Sequence, residues 1–75
     1  MWFLIEYDRK RGEVITLRRF EENERFRAEN SRLDLELQLN RAGKQHEVVL
    51  LQASSEDALR RTHRRYFEDL IELAS

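Results

Sequence analysis

Residues 21–42, EENERFRAENSRLDLELQLNRA, decide the fold because two periodicities compete within them. Four leucines alternate with polar residues, which is the period of a half-buried strand. They are Leu33, Leu35, Leu37 and Leu39. The segment also contains no Val, Ile, Thr, Gly or Pro and is rich in strong helix formers. The composition therefore favours a helix over a strand.

The two ends of this segment also indicate a helix. Three glutamates stand at its start, where the helix dipole favours acids: Glu21, Glu22 and Glu24. Arg41 and Lys44 flank Gly43, which is placed like the glycine that commonly ends a helix. We predict one helix over 21–42. The alternative is a short helix followed by a strand at about 32–40, which would give a four-stranded ββαββα fold.

The predicted helix carries two apolar stripes. At about 100° per residue, Phe26, Leu33 and Leu37 fall on one side of the helix. A second set falls nearly opposite and consists of Ala28, Leu35, Leu39 and Ala42. One stripe can pack on a sheet, whereas the other needs a second helix or another subunit.

The rest of the chain predicts three strands and a second helix. WFLIEYD at 2–8 and EVITLRRF at 13–20 read as a hairpin, with Gly12 in the turn able to take a positive φ. HEVVLLQAS at 46–54 predicts a third strand whose apolar run indicates a largely covered element. Ser54 or Ser55 caps a final amphipathic helix that we expect to run to about residue 73.

These elements predict a single α+β domain over 1–75, with two layers and the order ββαβα. A three-stranded antiparallel sheet of order 2-1-3 carries both helices on one face. The other face would be open to water or to a partner, so we expect self-association. The predicted interface residues are Trp2, Leu4, Val49, Leu35 and Leu39.

Composition narrows the classes of function. A chain of 75 residues without Cys and with two His has no disulfide, no thiolate site and no self-contained zinc site, so we expect no metal and no cofactor. Dimerisation is then the available way to enlarge a small core. The net charge of −1 argues against a dedicated nucleic-acid binder. Neither a signal peptide nor a membrane span is recognisable, and we expect a cytoplasmic protein.

The stretch ALRRTHRRYFED at 58–69 concentrates cations on the last helix. Arg60, Arg61, Arg64 and Arg65 each have an acid four residues away, which predicts a mixed-sign solvated surface. The alternative is a nucleic-acid surface that these arginines form with three cations of the hairpin turn, since phosphates can displace weak surface pairs. Those three are Arg9, Lys10 and Arg11.

His63 and Tyr66 are the remaining candidate residues. His63 lies on the apolar stripe of the last helix near Tyr66, which is typical of a packing residue. A histidine near arginines could also protonate a phosphate-bearing substrate, but no second catalytic group stands at a matching position. We therefore assign no catalytic residue. The prediction is a non-enzymatic interaction or assembly protein that works as a homodimer, with a nucleic-acid accessory and a small hydrolase or nuclease-like enzyme around His63 as alternatives.

Overall fold

The computed structural model describes residues 1–67 of the chain. Its elements are the strands β1 (Trp2–Asp8) and β2 (Glu13–Phe20), the helix α1 (Arg25–Ala42), the strand β3 (Glu47–Gln52) and the helix α2 (Glu56–Thr62). One 3₁₀ turn (Glu22–Glu24) precedes α1, and another (Arg64–Tyr66) follows α2. None of the helices in the described part of the chain is long and apolar enough to cross a membrane.

The three strands form one antiparallel sheet with β1 in the centre. Their order is β2-β1-β3, so the predicted α+β fold and strand order are confirmed. Gly12 closes the hairpin at a φ of 66°, and its amide donates to the carbonyl of Asp8 at 2.8 Å. A β-bulge interrupts β2, because Thr16 lies opposite Glu6 while Val14 lies opposite Tyr7.

Residues 25–42 are helical, so the alternative with a fourth strand at 32–40 is wrong. The helix ends as predicted at Gly43, whose φ of 68° is left-handed. At the other end, the side chain of Glu24 accepts the amide of Glu21 at 2.9 Å. Helix-forming composition and capping thus outweigh the alternation of the leucines. The helix still buries part of the leucine set, because it brings Leu35 and Leu39 to one side.

The two helices lie on opposite faces of the sheet, which corrects our prediction that they share one face. Leu4 packs with Ala28 of α1 in one buried cluster. Phe3 and Ile5, which point to the other face of β1, pack with Leu59 of α2 in a second cluster. The chain therefore has three layers, α1, sheet and α2, because the central strand is apolar on both faces and each face recruits a helix.

The second helix is shorter than we predicted. Ser55 caps it as expected, with its hydroxyl oxygen accepting the amide of Ala58 at 3.1 Å. It ends at Thr62, however, because His63 takes a φ of −122° and a ψ of 51°. A 3₁₀ turn then brings Tyr66 back over β1, with its ring 5.2 Å from that of Tyr7 in an edge-to-face arrangement. The predicted helix beyond residue 67 lies outside the described residues.

Replacing Leu59 by Ala tests the second layer. Leu59 is fully buried between α2 and the sheet, so Leu59→Ala should lower the free energy of unfolding by about 2–5 kcal/mol. The matched control is Arg61→Ala on the exposed side of the same helix, which should change it by less than about 0.5 kcal/mol. Urea denaturation measures both values. Equal effects would contradict the packing of α2 on the sheet.

Candidate functional site

The first candidate surface is the outer α1 stripe, which we define as Phe26, Leu33 and Leu37. These side chains are 79%, 52% and 46% exposed. Within residues 1–67, Ile15 is the other large apolar side chain with comparable exposure. The inner stripe of the helix, with Ala28 and Leu39, is buried against the sheet. The prediction of two stripes with different environments is therefore confirmed except at Ala42, which is exposed at the end of the helix.

A row of alternating charges runs beside the outer α1 stripe. Arg25 Nε lies 3.2 Å from Glu29 Oε1, and Arg32 Nε lies 3.9 Å from Glu36 Oε1. Residues 26, 30, 33 and 37 form one line along the helix, which contains the stripe. Each of the four charged residues comes one position before a member of this line, so the row borders the stripe along its length. The guanidinium carbon of Arg25 also lies 5.4 Å from the centroid of the Trp2 ring. Exposed ion pairs of this kind contribute little to stability.

The predicted interface residues are core residues, which corrects that assignment. Leu4 and Leu39 are buried within the chain, and Trp2 and Leu35 pack half-buried against the same cluster. Val49 belongs to the opposite cluster, because it pairs with Ile5 rather than with Leu4. The sequence predicted Trp2, Leu4 and Val49 on an uncovered sheet face and Leu35 and Leu39 on a stripe of the helix, whereas each sheet face is covered by a helix and that stripe packs on the sheet.

The second candidate surface is the Glu47 cluster, which we define as Glu47, Arg65, Tyr66 and Arg9. Arg65 Nη2 donates to Glu47 Oε1 at 2.8 Å and to the hydroxyl of Tyr66 at 2.5 Å. Its guanidinium carbon lies 4.2 Å from the centroid of the Tyr66 ring. Arg9 Nη2 stands 3.6 Å from the same Glu47 oxygen. A turn cation and a cation that follows α2 thus share one carboxylate.

Charge and burial compete at this cluster. Burial raises the pKa of the Glu47 carboxyl, but the hydrogen bond and charge of Arg65, with those of Arg9, outweigh burial and hold this pKa below its ordinary value. The hydrogen bond to Glu47 raises the pKa of Arg65. Burial, together with the Glu47 charge, raises the pKa of the Tyr66 hydroxyl. The cluster therefore keeps its carboxylate ionised and its phenol neutral at pH 7.

The other predicted arginines are placed as follows. Arg60 Nη2 lies 3.8 Å from Glu56 Oε1, so this predicted pair is present. The guanidinium carbon of Arg60 also lies 4.5 Å from the centroid of the Phe67 ring. In the described part of the chain, Arg61 forms no ion pair with Asp57. The pairs predicted for Arg64 and Arg65 with residues 68 and 69 lie outside the described residues. Lys10 and Arg11 lie exposed in the hairpin turn.

His63 is half-buried at the end of α2, and no carboxylate within residues 1–67 lies at ion-pair distance from its ring. Tyr66, the other candidate, is a buried core residue. The histidine with carboxylate partners is His46, which sequence reasoning missed. Its Nδ1 lies 2.6 Å from Glu6 Oε2, and its Nε2 lies 3.6 Å from Asp8 Oδ2.

Glu6 anchors this arrangement from the centre of the sheet. Its side chain points to the α1 face and is buried, so its carboxylate needs donors. Thr16 supplies one at 2.9 Å and His46 supplies the other. An acid inside an apolar strand is the signal in WFLIEYD that could have indicated a polar cluster.

The third candidate surface is a cavity of about 710 Å³ between the hairpin turn and the connection from α1 to β3. We call it the loop-end cavity, and its lining residues are Asp8, Lys10, Arg11, Ile15, Gly43, Lys44, Gln45 and His46. Three of these side chains are permanent cations, and one is an acid. Within residues 1–67, no three His, Cys, Asp or Glu side chains are arranged to hold a metal ion.

Replacing Glu47 by Gln tests the Glu47 cluster. Glu47→Gln removes the charge that Arg65 and Arg9 share, so we expect the free energy of unfolding at pH 7 to fall by about 1–3 kcal/mol. Because the folded pKa of Glu47 is lowered, its contribution is complete above the ordinary pKa of about 4.3 and is lost as the pH falls through the folded pKa. Urea denaturation from pH 7 to pH 3 should therefore show the two proteins converging.

Glu56→Gln is the control for this prediction. Glu56 pairs with Arg60 on the exposed surface, so its loss should change the free energy of unfolding by less than about 0.5 kcal/mol. A Glu47→Gln effect no larger than that of the control, or one that is independent of pH, would contradict the role assigned to the cluster.

Comparison of the chain with protein-family models, with curated proteins and with solved structures found no match.

Proposed function

We propose that this chain is a non-enzymatic assembly protein that works as a homodimer through the outer α1 stripe. The observation that carries the proposal is the exposure of Phe26, Leu33 and Leu37 along one side of a regular helix. Large apolar side chains that line up on a surface are typical of a protein–protein contact. Packing them against a second copy would also enlarge a core that is small for a chain of 75 residues.

The spacing of the stripe suits a partner helix. Residues 26, 30, 33 and 37 are separated by four, three and four positions, which is the spacing of a coiled-coil seam. The polar member of the line is Asn30, a residue type that can specify the register of a helix pair. From residue 26 to residue 37 this seam covers about 17 Å along the axis of α1.

The seam can pair with itself in the antiparallel direction. If two helices pack antiparallel with Phe26 opposite Leu37 of the other copy, facing positions add up to 63, so position 30 faces 33. Phe26 then meets Leu37 at both ends of the contact, which is the self-complementarity that a two-fold symmetric interface requires.

Replacing the apolar stripe tests the dimer. Sedimentation velocity at tens of micromolar protein should show a dimer for the unaltered chain. The double variant Leu33→Gln with Leu37→Gln should sediment as a monomer, because it removes apolar surface from the contact and inserts amides. Far-ultraviolet circular dichroism should stay unchanged, since both side chains are exposed. An unaltered chain that remains monomeric at every concentration would contradict the proposal.

A further inference from the structure

We propose that the loop-end cavity binds a small organic phosphate monoester. Its lining includes Lys10 and Arg11 of the hairpin turn and Lys44 of the connection from α1 to β3, three cationic residues from two separate loops. Within residues 1–67, neither lysine has a carboxylate at ion-pair distance, in a chain where many arginines are paired. Unpaired cations that converge on a concave site are suited to a multiply charged anion.

The acids at the cavity offset this charge only in part, because three cations line it and Asp8 is the one acid among its lining residues. Asp8 Oδ1 accepts the backbone amides of Lys10 at 3.0 Å and of Arg11 at 3.3 Å, which fixes the turn. Arg11 Nε stands 3.9 Å from the other oxygen of Asp8, a distance that leaves most of its donors free. Glu6 lies behind His46 and is bonded to it. With three cationic residues and one acid, the lining therefore keeps a net positive charge.

The apolar residue in the lining favours an organic ester over inorganic phosphate. The β-bulge in β2 places Ile15, which is 46% exposed, in the cavity wall. An apolar wall beside three cations fits a ligand that has an apolar body and a charged end. A phosphate monoester carries close to two charges at pH 7.5, whereas each diester of a nucleic acid carries one. The site should therefore prefer the monoester.

His46 offers a local probe of binding. His46 lines the cavity, and the hydrogen bond between its Nδ1 and the Glu6 carboxylate fixes the orientation of the ring. The chain has two histidines, so the proton spectrum contains one reporter at the cavity and one internal reference, His63. The variant His63→Gln assigns the two signals.

The experiment titrates phenyl phosphate, inorganic phosphate and phenol into the chain at pH 7.5 and follows the Hε1 proton of His46 by NMR. We expect a saturable shift with phenyl phosphate, a weaker affinity for inorganic phosphate, and no shift with phenol. Lys44→Gln and Lys10→Gln should each weaken the binding of phenyl phosphate by roughly tenfold, since each removes a charged donor. Arg61→Gln, which removes an exposed cation away from the cavity, should leave it unchanged.

Several outcomes would overturn the proposal. The first is the absence of a saturable shift of the His46 signal at tens of millimolar phenyl phosphate. The second is a shift of equal size with phenol, and the third is an equal loss of affinity for phenyl phosphate in Lys44→Gln and Arg61→Gln. An oligonucleotide with hydroxyl ends provides the last comparison. If the oligonucleotide shifts the His46 Hε1 signal at a lower concentration of phosphate groups than phenyl phosphate needs, the cavity is part of a nucleic-acid surface and the proposed ligand class is wrong.

Discussion

The rest of the structure depends on the burial of β1 from every side. Phe3, Leu4 and Ile5 are consecutive and fully buried, although their side chains point alternately to the two faces of the sheet. The backbone of β1 is hydrogen-bonded on both edges, to β2 and to β3. A strand of this kind needs an apolar cover on each face, which places α1 on one face and α2 on the other. The inner stripe of α1 then packs on the sheet and its outer stripe stays exposed, which is the surface that we propose for a second copy.

The sequence predicted the elements and their pairing better than their arrangement in layers. Local signals located the turn at Gly12, the end of α1 at Gly43 and the start of α2 at Ser55, because each depends on a backbone geometry or a cap that one residue supplies. The faces covered by the helices depend on long-range packing. The run from Phe3 to Ile5 carried that information, since three consecutive buried residues in a strand imply two covered faces.

The break after α2 shows a tertiary contact that overrides a periodic pattern. The apolar spacing continues past His63, so periodicity alone predicts an uninterrupted helix. The structure instead turns the chain so that Tyr66 reaches the ring of Tyr7 and Arg65 reaches Glu47. Similarly, Glu6 and His46 are 40 residues apart in the sequence, and only the pairing of β1 with β3 brings them together. The two stripes of α1 were predictable because they follow from helical geometry alone.

The most direct test of the assembly is an isotope-filtered NOE experiment on a sample that mixes labelled and unlabelled chains. In the antiparallel dimer, the ring protons of Phe26 in one copy should give intermolecular NOEs to the methyl groups of Leu37 in the other. Intermolecular NOEs from Phe26 to Phe26 of the other copy would indicate a parallel pair. The absence of any intermolecular NOE at millimolar concentration would contradict the account.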